Sequence, residues 1–82
     1  MNPKEPVYLE LIDFIAAGPT TENVANFRPS ADAQHRVSEL LERQRESQLT
    51  EDEAAELDTF VQLETILRLA KAKARLILAN RP

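Results

Sequence analysis

The sequence predicts an all-α fold. The expected architecture is an antiparallel helical hairpin, a helix at about 31–47 against a long helix at about 51–79, with two shorter N-terminal helices, about 6–17 and 22–27, packed on it. Three observations carry this. One glycine among 82 residues, with 29% of them charged, leaves too few turn formers for a sandwich or barrel. Segments of helical apolar spacing are separated by Gly18-Pro19 and Arg28-Pro29. Finally, Thr50 and Glu53 fit a capping box that opens a segment with nothing to stop it before Asn80.

The first helix takes Pro6 at its first turn and closes at Gly18-Pro19. Its apolar set is Val7, Leu11, Ile12, Phe14 and Ile15, flanked by Tyr8 and Leu9. Glu10 and Asp13 lie opposite, on the unfavourable side of the helix dipole. The short second helix is capped by Thr20 or Thr21, ends before Pro29, and offers Val24 and Phe27 to the interior. Ser30 caps the third, with Asp32 in its first turn and Ala33, Val37, Leu40 and Leu41 as the seam.

The fourth helix is the unusual one. At 1.5 Å per residue it would reach about 43 Å, against a diameter of roughly 30 Å for a compact chain of this length. A third helix of its predicted length covers only about 25 Å of it. Residues beyond Leu67 therefore need cover from the first two helices or from another chain. One heptad line runs Phe60, Leu63, Leu67, Ala70, Ala74, Ile77; a second set, Leu57, Val61, Ile66, Leu69, Leu76 and Leu78, spreads around the cylinder. An internal core and a partner chain are both open for this surface. The residues expected to bind protein are Phe60, Leu63, Ile66, Leu67, Leu69, Ala70, Ala74, Leu76 and Ile77, and a homodimer is expected. A chain this small buries a thin core, and 11 of its residues are alanines, so a second chain would add what the core lacks.

The net charge of −4 is unevenly placed: residues 65–82 carry five bases and no acid, and all 14 acids lie before them. Arg68, Lys71 and Arg75 share one helical face and are candidates for contact with an anion or an acidic partner. A nucleic-acid-binding regulator using these three and Arg28 is the alternative function. No aromatic interleaves them to stack on bases, which disfavours it. Overall acidity argues the same way.

Chemistry is hard to place in this composition. There is no cysteine, so no disulfide, thiolate zinc site or cysteine nucleophile. The single histidine, His35, has no second imidazole to share a metal. Glu51, Asp52, Glu53, Glu56 and Asp58 lack the glycine-bearing loop that wraps calcium and read as a solvated face. Gly18 alone cannot form a phosphate loop. The expectation is a non-catalytic protein without cofactor or metal. With no apolar run long enough to span a bilayer and no signal-like segment, it is also expected to be cytoplasmic.

The blocks Ile12-Asp13-Phe14-Ile15-Ala16-Ala17-Gly18, Phe27-Arg28-Pro29-Ser30, Arg36-Val37-Ser38-Glu39-Leu40-Leu41-Glu42, Leu49 to Asp58 and Leu69-Ala70-Lys71-Ala72-Lys73-Ala74-Arg75 resemble a set of short, uncharacterised bacterial proteins. These are all-helical, frequent in cyanobacteria, and often encoded beside a small HNH-type endonuclease. The resemblance runs from about Val7 to Leu78 and implies an antitoxin-like or accessory role, in which the chain binds the neighbouring nuclease. It carries over no catalytic residue.

Overall fold

The computed structural model describes residues 5–81, and every regular element among them is a helix. There are four: α1, Leu9–Ala16; α2, Thr21–Ala25; α3, Ala31–Arg45; and α4, Glu51–Ala79. All three shorter helices pack on α4, and α2 approaches it most closely. Small side chains allow that closeness: Ala25 of α2 is buried, and Ala74 of α4 is buried beside Thr21 and Val24. The molecule measures 51 × 23 × 18 Å, with a radius of gyration of 14.5 Å. A compact chain of this length would have one of about 12 Å. The excess is α4, which is longer than the body it supports.

Capping explains most of the boundaries. Thr20, Ser30 and Thr50 each stand in extended backbone and accept a hydrogen bond on the side-chain oxygen from the N–H three residues on. At α4 the reciprocal bond is present too: Glu53 accepts from the Thr50 N–H, so the capping box forms as its sequence predicts.

Three boundaries differ clearly from expectation. The first helix starts at Leu9 and not at Pro6, because residues 6–8 form a turn with Leu9 N–H on the Pro6 carbonyl, and Val7 N–H is drawn away to Glu56 of α4. The third helix stops at Arg45, two residues short of Ser47. There the Ser47 N–H returns to the Gln44 carbonyl and the Gln48 N–H to the Arg43 carbonyl, a Schellman closure that puts Ser47 at φ 58°. Gly18 holds the corresponding left-handed position after α1, at φ 67°. The second helix also ends slightly early, at Ala25, with Phe27 N–H on the Val24 carbonyl.

The core lies around the N-terminal half of α4. Val7, Leu11, Ala33, Leu40, Leu57, Phe60 and Leu67 form one buried cluster, with Phe14, Phe27, Val37 and Leu63 packed against it. Phe14 and Phe27 stack with centroids 4.1 Å apart and carry α1 onto the end of α2. Ile12, Ile15 and Leu41, counted above in the apolar faces of their helices, are instead exposed, since α1 and α3 present only a narrow stripe to α4. No polar or charged residue is buried among the described residues.

Candidate docking surface

Two patches of α4 differ in how they are covered. From Glu51 to about Leu63, polar ties reinforce the core. Glu56 accepts the Val7 N–H at 2.9 Å and pairs with Arg36 of α3 at 3.2 Å, while Glu53 pairs with Arg43. The Glu53 carboxyl is held below the ordinary glutamate range, first by the Thr50 backbone N–H and then, against some burial, by Arg43. Glu56 in turn keeps the Arg36 guanidinium more firmly charged than usual. Glu53 and Glu56 are thus turned inward onto cations and a backbone donor. The acidic run is not the wholly solvated face its composition suggests.

Beyond Leu63 the cover comes from α2 and the loops that flank it. Lys71 Nζ donates to the Phe27 carbonyl at 2.8 Å, and Arg81 pairs with Glu22 at 2.7 Å. Glu22 is held low by its own backbone N–H and by Arg81. Of the covers the sequence leaves open for the residues beyond Leu67, the short second helix supplies most. The signal was the small pair Ala70 and Ala74, which stand beside Thr21 and Val24 and leave room for α2 to approach. One further tie had no sequence signal: Glu10 accepts the Ser30 N–H on both carboxylate oxygens at 3.1 Å, joining α1 to the start of α3.

The heptad line that reads as an interface seam is the internal one. Phe60, Leu67 and Ala74 are buried by the chain's own helices, and Leu63 and Ala70 are half-buried, so these five are core or core margin and do not present a surface. Ile77, the last of that line, escapes cover. The residues left outside are Ile66, Leu69, Leu76 and Ile77, at 58%, 68%, 54% and 45% exposure. Val61 extends the same apolar band toward the N-terminal half. Short α2 covers one side of α4, and a helix with apolar residues on most of its circumference must then show some of them to water.

The basic triplet is not brought together as one binding stripe. Lys71 is engaged with the Phe27 carbonyl and Arg68 with Glu64, four residues back, while Arg75 makes no ion pair among the described residues. A mostly apolar cleft of about 310 Å³ opens between Phe27, Val37, Phe60 and Leu67, with these two engaged cations and Glu64 at its rim. His35 is largely exposed beside Glu39 at 3.6 Å. No three metal-ligating side chains converge among the described residues, and no described helix is long and apolar enough to cross a membrane.

Comparison with protein-family models, with curated proteins and with solved structures finds no match to this chain.

Proposed function

We propose that this chain is a non-catalytic protein–protein interaction module that docks through the outer face of α4. The observation that carries the proposal is the exposure of Ile66, Leu69, Leu76 and Ile77 on one helix of a small protein. Four large aliphatic side chains in water gain free energy on burial, on the order of 1.5–3 kcal/mol each before ordering costs. The antiparallel hairpin of α3 on α4 belongs to this reading. The Arg43–Glu53 and Arg36–Glu56 pairs support it by tying residues on opposite sides of the 46–50 turn. Such a scaffold holds the docking helix straight while leaving its far side free.

The resemblance noted above gives the reading its biological form: an antitoxin-like or accessory protein, cytoplasmic, bound to a neighbouring HNH-type nuclease. Self-association through the same helix is the homodimeric form of the proposal. The test is co-expression with the protein encoded next door, followed by size-exclusion chromatography with light scattering. A complex or a dimer is expected, lost in Leu69→Glu while circular dichroism stays helical. A chain that is monomeric and indifferent to its neighbour overturns the reading. Ala74→Glu is not an equivalent probe, because Ala74 is buried and a carboxylate there would displace α2.

A nucleic-acid regulator is the weaker alternative. Two of its three cations on α4 are already engaged, and no exposed aromatic stands among them.

A further inference from the structure

The charges that border the Leu69–Leu76 line of the exposed band, with Lys73 standing between Ile66 and Ile77, say what kind of partner it fits, given the docking reading above. On the outer face of α4, Leu69, Ala72, Leu76 and Ala79 follow one another at +3, +4 and +3, and all four are exposed. This is a heptad seam of alternating leucine and alanine, in which the alanines let a second helix approach closely. Arg68 and Arg75 border the seam on one side and Lys73 on the other; all three are exposed. Residues 65–81 contain no acid, and Lys73 and Arg75 make no ion pair among the described residues. Arg68 is shared with Glu64.

These flanks discriminate between occupants. A second copy pairing this stretch in parallel would set Arg68 beside Lys73 of the other chain. Antiparallel pairing centred on Ala72 would set Arg68 beside Arg75. Either arrangement opposes like charges at positions that govern pairing in coiled coils. We propose that the outer face of α4 from Thr65 to Ala79 docks an acidic amphipathic helix of a different protein, one with apolar residues at heptad spacing and Asp or Glu beside them. The leucines supply the buried area, and the unpaired cations choose the partner and speed encounter.

The test uses the full chain and two synthetic helical peptides with the same leucine heptad core, one flanked by Glu and the other by Lys. Binding is read by fluorescence anisotropy at low and high salt, and the footprint by amide chemical shifts. The Glu-flanked peptide is expected to bind over residues 65–79 and to weaken with salt. The Lys-flanked peptide should bind about tenfold more weakly or worse, the summed effect of several surface charge pairs. The double variant Lys73→Glu/Arg75→Glu changes exposed residues only, so the helix should persist and the preference should reverse. Equal binding of the two peptides on this face overturns the acidic-partner inference and leaves the docking reading intact. Failure of both to bind also overturns the inference, while the docking reading falls only on its own co-expression test. A peptide-free dimer abolished by Leu69→Glu gives the face to a second copy and overturns it. Tighter binding of duplex DNA than of the Glu-flanked peptide, in one buffer, overturns it likewise.

Discussion

The C-terminal half of α4 is the richer in apolar residues, yet it is the N-terminal half that the chain's own core covers more fully. In the N-terminal half, Leu57 and Phe60 are buried, and Glu53 and Glu56 are tied to Arg43, Arg36 and the Val7 N–H. In the C-terminal half, Ala74 is buried beneath short α2 while Leu69 and Leu76 stand more than half exposed. Apolar content by itself does not place a residue in a core. What decides is whether the rest of the chain packs on the face of α4 where the residue lies: Ala74 is buried although it stands between exposed Leu69 and Leu76 along the helix.

The largest expected effect sharpens that contrast. Phe60→Ala should cost about 3–5 kcal/mol in urea-denaturation stability, which for a domain this small approaches its whole reserve. Leu69→Ala should change it by no more than about 0.5 kcal/mol. Comparable costs at the two positions would break the distinction between halves. Next comes Glu56→Ala, which strips an acceptor from the N–H of fully buried Val7 and a counter-ion from Arg36. A loss of about 1–3 kcal/mol is expected, and Glu56→Gln, which keeps an acceptor, should recover part of it. Thr50→Ala removes the capping box that starts the firm half, for about 1 kcal/mol.

The smallest effect is that of acid, and its sign follows from Glu53 and Glu22. Both carboxyls are held low in the folded chain, so what they contribute is complete above the ordinary glutamate range and is lost as pH falls through their depressed values. Thermal midpoints should decline over that acidic window, and Glu53→Gln should flatten the profile. Glu22→Gln should act at the other half, by freeing Arg81 and loosening α2 from the end of α4. An unchanged profile in both variants would mean that these ties contribute nothing.

Much of the architecture was legible because its causes are local. Thr20, Ser30 and Thr50 announce three helix starts, and Gly18 and the prolines mark where helices cannot continue. The run from Glu51 to Ala79 was readable to its last residue, since nothing in it competes with helix. The Ser47 closure was harder to see, because a serine at positive φ has no distinctive local signature. The candidate surface was legible only in part. Of the candidates, Ile66, Leu69, Leu76 and Ile77 lie exposed, whereas Phe60, Leu67 and Ala74 are buried, with the regular heptad spacing that an internal seam and an intermolecular one share.

The sequence by itself determined the helices, their caps and the surplus of apolar surface on the last of them, because backbone hydrogen bonding and side-chain periodicity are written within a few residues. Only the tertiary structure decided which face of α4 that surplus occupies. Glu56 takes the Val7 N–H across 49 positions, Lys71 reaches Phe27 across 44, and Thr21 and Val24 bring α2 beside Ala74. Such contacts depend on residues far apart in the chain meeting at once, and the side of α4 they leave uncovered is fixed only when all of them have formed.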